Sequence, residues 1–307
     1  MSTVYHIPVM INEVIDFLRV YDGGLYVDCT LGGGGHSLSI LEQGGKIIGI
    51  DRDNTAVAYA RERLSCFGES FSAQVARFSH VAEILGNKAG SVDGVVMDLG
   101  VSSAMIDDPS RGFSYRMDGP LLMTMESGGM TAFEVINTKS SRELTRIFQD
   151  YSEEHNAAKI ARAITRARSI HPIETTGKLA EIVEETVGGR MPHKSKARIF
   201  QALRIYVNDE MGELHRGLNA AVNVLRVGGR VCVISYHSIE DRVVKEFLKE
   251  KANPCICPPD IPECRCGRAP FMKVVTKKPI KPSRDEVIRN PKARSALLRV
   301  GEKIAAA

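Results

Sequence analysis

The chain lacks any apolar run approaching the ~18–20 residues that span a bilayer, so no membrane passage is expected. Its first residues, Met-Ser-Thr-Val-Tyr-His, carry neither the basic segment nor the apolar stretch of a secretory leader. A soluble, cytoplasmic protein is the expectation. No charge of one sign dominates: 41 Lys and Arg face 37 Asp and Glu, for a net +4. That excess is too small to identify a nucleic-acid partner, so its distribution must decide. The seven cysteines are odd in number, and Cys29, Cys66 and Cys232 stand singly, which excludes a disulfide framework. What is present is enough apolar residue, 43% of 307, to bury a core and exclude a disordered chain.

The first third alternates short β-rich runs with helical stretches. Leu25–Thr30, Gly45–Asp51 and Val92–Asp98 read as strands, separated by helices over His36–Gln43 and Thr55–Leu64. Near-continuous apolar strands between helices signal a parallel sheet covered on both faces. From about Asp107 to Asn208 the pattern becomes helical, with apolar stripes in Glu154–Arg168 and Ser195–Val207. Strand and helix then alternate again: Leu218–Leu225 as helix, a turn at Gly228-Gly229, Arg230–Tyr236 as strand and Glu240–Lys251 as helix. Two further strands are expected at Phe271–Thr276 and Ser295–Val300. The reading is an α/β, doubly wound, Rossmann-like sheet domain over residues 1–107 and 209–307, interrupted by an inserted helical substrate-recognition domain at 108–208.

Gly32-Gly33-Gly34-Gly35 follows the first strand, and the second strand ends in Asp51. Glycines let backbone approach a ligand, the helix start offers N–H groups, and an acid at the second strand end accepts ribose hydroxyl protons. A dinucleotide site wants Gly-x-Gly-x-x-Gly/Ala, but the third position here is Ser37. Asp28, before the turn, can hold the ammonium group of a methionine moiety, which NAD lacks. S-adenosylmethionine is therefore favoured over NAD.

Several blocks then converge: His6-Ile-Pro-Val-Met, Asp28-Cys-Thr-Leu-Gly-Gly-Gly-Gly-His-Ser37, Asp51-Arg-Asp53, Asp93-Gly-Val-Val-Met-Asp-Leu-Gly-Val-Ser-Ser103 and Arg111-Gly-Phe-Ser. Phe200-Gln-Ala-Leu-Arg-Ile-Tyr-Val-Asn208, Val233-Ile-Ser-Tyr-His-Ser-Ile-Glu-Asp-Arg242 and Asn290-Pro-Lys-Ala-Arg-Ser295 continue the series. Together they resemble the RsmH/MraW family of small-subunit (16S) rRNA cytosine-N4 methyltransferases, from His6 to about Arg299. The resemblance implies S-adenosylmethionine-dependent methylation of a decoding-region cytidine, with small-subunit rRNA as partner. It also implies cofactor positions at Gly34, Gly35, His36, Asp51, Phe78, Asp98 and Met105. The chain departs from the family at Met105, usually glutamine, whose thioether cannot replace an amide's donors. It departs again at Leu122-Met-Thr-Met-Glu126, where the family usually has Asp-Met-Arg-Met-Asp, so Leu122 and Thr124 replace a carboxylate and a guanidinium.

A sulfonium methyl is already activated, so alignment supplies much of the rate. Cytosine N4 is a poor nucleophile until something accepts its proton. Asp98, at its strand's carboxyl end, is the candidate, with backbone carbonyls of Leu99 to Val101 as alternatives and His237 as a weaker catalytic candidate. Methylation at C5 would need a cysteine nucleophile, and none lies between Cys66 and Cys232.

Cys255-x-Cys257 and Cys264-x-Cys266 are spaced more tightly than the usual Cys-x₂₋₄-Cys of zinc sites, so no metal is assigned. Basic residues cluster twice. Arg190, Lys194, Lys196, Arg198 and Arg204 form one stretch without an acid, and Arg265 to Arg299 holds eleven Lys or Arg against Asp285 and Glu286. Such polarity suits RNA, with Lys194, Lys196 and Arg198 as phosphate contacts. Two other readings stay open: an NAD-type oxidoreductase, and an rRNA-binding assembly factor that has lost turnover.

Overall fold

The computed structural model describes residues 8–126, 128–189, 191–258 and 265–305. The chain divides into two units, Met1–Gly100 with Glu213–Ala307, and Val101–Gly212. The first unit runs α1 (Ile11–Leu18), β1 (Leu25–Asp28), α2 (Gly35–Leu41), β2 (Lys46–Asp51), α3 (Asn54–Arg63), β3 (Phe71–Val75), α4 (Val81–Leu85) and β4 (Val92–Asp98). Helices α5 (Ser103–Asp107), α6 (Ala132–Thr138), α7 (Ser141–Ser152), α8 (Ala157–Arg168), α9 (Thr176–Val187) and α10 (Pro192–Val207) make up the second. The chain returns through α11 (Glu210–Val224) to β5 (Leu225–Ser235), α12 (Ser238–Ala252), β6 (Met272–Val274), α13 (Arg284–Arg289) and β7 (Leu297–Lys303).

The seven strands form one sheet in the order β3-β2-β1-β4-β5-β7-β6. Strands β1 to β5 pair in parallel, and β7 is antiparallel to both β5 and β6. This is a doubly wound, Rossmann-like sheet whose order reverses between β1 and β4. Strand β4 is buried along Val92–Met97, as a parallel strand covered on both faces must be. Where α1 and the Tyr26 ring lie against the sheet the packing is close: a Cβ on Gly94 would stand 2.7 Å from Leu18 and 3.0 Å from Tyr26 and would have to displace them.

Three of the differences from the sequence reading bear on the sheet and its return helix. Edge strand β3 escapes it because Phe71-Ser-Ala-Gln-Val75 is mostly solvated, with Ala73 its buried residue. Strand β5 begins at Leu225, not after Gly228-Gly229. Exposed Gly228 and buried Gly229 form an irregularity within the strand, where its register on β4 shifts between Val92 and Gly94. A Cβ on Gly229 would lie 2.9 Å from the Val92 carbonyl oxygen, which fixes a glycine there. Helix α11 starts at Glu210, earlier than its apolar stripe indicates.

The helical unit has its own core, with Leu144 and Phe148 of α7, Ile160 and Ile164 of α8, Leu179 and Val183 of α9, and Ile199 and Leu203 of α10. Capping boxes at Thr131/Glu134 and Ser140/Glu143 start α6 and α7. The side chain of Asn208 donates to the Met123 carbonyl at 2.7 Å and accepts from the Met125 N–H at 2.9 Å. That contact fixes the 121–125 segment, in which Met123 takes a left-handed φ of 57, with Leu121, Met123 and Met125 buried and Leu122 outward. The Leu122 departure therefore alters the surface and leaves the core intact.

At the other end of the sheet from the glycine turn, Asp93 ties together the starts of three central strands. Its carboxylate accepts from the Tyr21 hydroxyl at 2.7 Å, the Leu25 N–H at 2.8 Å and the Arg226 guanidinium. Burial pushes this carboxyl up, but the hydrogen bonds from Tyr21, Leu25 and Arg226 outweigh it and hold it below 3.8. A depressed carboxyl stabilises the fold above its unfolded-state value and loses that contribution as pH falls through its folded-state value. Asp93→Asn should therefore lower unfolding free energy by about 1–3 kcal/mol at pH 7. Urea titrations of both proteins should show the gap narrowing below pH 3.8; an equal gap at both pH values would contradict the assignment.

Candidate functional site

Parallel α/β sheets bind ligands outside the carboxyl ends of their strands, where the strand order reverses. Here that edge is made by the ends of β2, β1, β4 and β5. The β1–β4 ladder ends at Cys29, whose N–H donates to the Val96 carbonyl at 2.9 Å. Beyond it a side chain takes over: the Asp98 N–H donates to Thr30 Oγ1 at 2.6 Å.

The glycine turn is fixed from several sides. Gly34 has φ +72 and precedes α2, and its N–H closes the turn onto the Leu31 carbonyl at 2.7 Å. A Cβ there would lie 2.9 Å from Leu64, and one on Gly35 would lie 2.6 Å from Pro8. From α3, Arg63 donates to the Gly33 carbonyl at 2.6 Å. Asp51 accepts from the Gly32 N–H at 2.8 Å and the Asp53 N–H at 2.9 Å, joining the ends of β1 and β2. Burial pushes its carboxyl up, and these two N–H groups pull it back.

Asp28, expected to hold a ligand's ammonium group, is 1% exposed and bound within the turn. It accepts from Ser37 Oγ at 2.7 Å and the Thr30 N–H at 3.2 Å. Ser37, which breaks the dinucleotide pattern, is thus the partner of Asp28. His36 is also buried, its Nε2 2.9 Å from the Val9 carbonyl and its Nδ1 4.0 Å from Asp98 Oδ2.

Asp98 has a second anchor, the Tyr236 hydroxyl, which donates to Oδ1 at 2.8 Å. Burial, together with the Asp98 charge and hydrogen bond, pushes the Tyr236 phenol well above its usual range, so it stays a donor. The sequence reading gave Tyr236 no role. Glu240 in turn accepts from the Tyr236 N–H at 2.9 Å. His237, the weaker candidate, serves that same helix start. Its Nδ1 accepts the Glu240 N–H at 3.3 Å as the cap of α12, and its Nε2 lies 3.1 Å from Glu240 Oε1.

Phe78 is half-buried, its ring filling the space beside Gly217, where a Cβ would collide with it. Buried Glu213 fixes that segment by accepting from the Ser79 N–H at 2.9 Å and hydroxyl at 3.0 Å. No sequence motif marks Glu213, whose role comes only from the return of α11. Gly34, Gly35, His36, Asp51, Phe78 and Asp98 all belong to the first unit, whereas Met105 belongs to the second. Met105 is buried in α5, and its N–H donates to Ser102 Oγ at 3.2 Å.

The basic residues of α10 have different surroundings. Lys194 is exposed. Lys196 pairs with Glu184 at 2.6 Å, and Arg198 lies 3.5 Å from the buried Glu154 carboxylate. Arg190 and Cys264 lie outside the described residues. Among the described residues, no helix is long and apolar enough to cross a membrane.

Residues 3–304 match the sequence profile described as the MraW methylase family. A protein of Carboxydothermus hydrogenoformans, named ribosomal RNA small subunit methyltransferase H, is 47% identical over 97% of this chain and 98% of its own length. Proteins of the same name from Symbiobacterium thermophilum and Heliobacterium modesticaldum are 45% and 44% identical, each over 98% of this chain and at least 98% of its own length.

The left-handed conformation of Gly34 and its contact with Leu64 give one expectation. Gly34→Ala should lower stability by about 1–2 kcal/mol, the usual penalty of a Cβ in that backbone region. Chemical denaturation measures it, and an unchanged midpoint would show that the turn tolerates a side chain.

Proposed function

Because the chain belongs to the MraW methylase family, we propose that it transfers a methyl group from S-adenosylmethionine to N4 of a cytidine in the decoding region of small-subunit rRNA. The observation that carries this reading is Asp98, a strand-end carboxylate at the switch point with one oxygen held by Tyr236. The residues present suit the cofactor. The turn at Gly34 and Gly35 leaves no room for side chains, and Asp51 stands at the second strand end with lone pairs to spare for ribose hydroxyls. Gly34, Gly35, His36, Asp51 and Phe78 would hold it. Asp28 works one step back, shaping the turn through Ser37 and Thr30. When bound, the cofactor supplies a methyl group on a positive sulfonium.

The chain's own task is then to place the acceptor amine and remove a proton. Asp98 accepts that proton in this reading; the Tyr236 hydroxyl holds its carboxylate and the bond from its own N–H to Thr30 holds its backbone. N4 rather than C5 chemistry is further supported by the thiols. Burial pushes both Cys29 and Cys232 above the usual thiol range, so neither is available as a thiolate. The helical unit would supply RNA grip, with Lys194 as its clearest phosphate contact and Lys196 and Arg198 already facing acids.

Nucleoside mass spectrometry of small-subunit rRNA, from cells with and without this protein, tests the reaction. N4-methylcytidine should disappear in its absence. An unchanged nucleoside profile would favour the assembly-factor reading. In the purified enzyme, S-adenosylmethionine should raise the thermal midpoint and NAD should not. Asp51→Ala should weaken cofactor binding by about 1.5–3 kcal/mol in calorimetry. Asp98→Ala should abolish methylation; retained cofactor affinity would place Asp98 on the amine, and near-normal turnover would remove it from the site.

For RNA, Lys194→Ala should flatten the slope of log affinity against log salt by about 0.7, the release expected from one single-strand phosphate contact. An unaltered slope would mark this end of α10 as a solvated face. RNA docking would then fall to the basic C-terminal stretch.

A further inference from the structure

Residues 253–270 separate α12 from β6, and the described ones, 253–258 and 265–270, form neither helix nor strand. The base of this loop is closed where the Phe271 N–H donates to the Lys251 carbonyl at 3.3 Å. Above that point little apolar packing holds it. Ile256 is 64% exposed, and its described members contribute nothing to the buried core. Yet the sulfurs of Cys255, Cys257 and Cys266, from the outgoing and returning arms, all lie within 4.8 Å of one another. Hydrophobic burial does not account for three thiols meeting at a solvated surface.

We propose that Cys255, Cys257 and Cys266 are three of the four ligands of a structural zinc ion that staples this loop. Sulfurs bound about 2.3 Å from a tetrahedral zinc stand roughly 3.8 Å apart, and Cys255 Sγ and Cys266 Sγ are 3.9 Å apart. The Arg265 N–H donates to Cys257 Sγ from 3.3 Å, an outer contact of the kind that orients a metal ligand. Arg265 and Arg268, on either side of Cys266, offset the negative charge that several thiolates bring to one divalent cation. The tight Cys-x-Cys spacing that argued against a metal is met by drawing ligands from both arms. The ion closes the loop in place of a core, as metals do in segments too small to bury one. Zinc binding displaces the thiol protons to solvent and needs no oxidant.

Elemental mass spectrometry of the full-length protein, purified without chelating resin, tests the proposal. About one zinc per chain is expected, falling to background in Cys255→Ser/Cys266→Ser. Circular dichroism should show that this variant keeps its secondary structure, because the sheet and both cores lie outside the loop. If the variant fails to fold, the unaltered protein still decides the matter. Stripped under reducing conditions and refilled with cobalt(II), it should develop thiolate-to-metal absorption. Zinc retained by the double variant would overturn the proposal. So would a metal-free protein that gives no thiolate–cobalt absorption, or one whose cysteines are recovered as a disulfide without metal.

Discussion

The hydrogen bond from the Asp98 N–H to Thr30 Oγ1 is the contact on which the candidate site depends. At a switch point the chain leaves neighbouring strands in opposite directions, so backbone pairing must stop there and a crevice opens. Cys29 makes the last backbone bond across the gap. Thr30 then spans it with a side chain, so that the glycine turn after β1 and the carboxylate after β4 keep a fixed separation. Asp28, Ser37, Arg63 and Asp51 brace the turn from one side, and Tyr236 braces Asp98 from the other. Positioning is the main service a methyltransferase provides, and this set of contacts supplies it.

Buried polar groups set the second constraint. Each carboxylate at this edge is held by N–H or O–H donors, and those donors fix where it points. Asp28 meets the Ser37 hydroxyl and the Thr30 and Ser37 N–H groups and is sealed from solvent, so no oxygen face is left for a ligand. Asp51 meets two backbone N–H groups but retains acceptor capacity. The difference between a carboxylate that shapes a site and one that serves it lies in this accounting. Residue type and position on a strand end do not separate the two.

That explains how far the sequence could be read. The parallel sheet was legible because strands such as Val92–Asp98 are near-continuously apolar, and the glycine turn because four successive glycines, Gly32 to Gly35, follow the first strand. The resemblance carried Phe78 and Met105, which no local pattern marks. Edge strand β3 was hidden because only Ala73 of its side chains is buried. Tyr236, Glu213 and the capping role of His237 stayed hidden because each acts through a partner set by tertiary structure.

The sheet also has an order of assembly written into it. Strand β4 is buried on both sides, yet its partner β5 is made only after the helical unit; Asp93 and Arg226, which clamp the two, are 133 positions apart. During synthesis the first hundred residues therefore emerge with an apolar central strand exposed along one edge. The helical unit, whose core is contiguous in sequence, can fold in the meantime. Closure of the sheet is a late, long-range event, and the nascent chain passes through a stage in which β4 is an open edge that invites pairing with other chains.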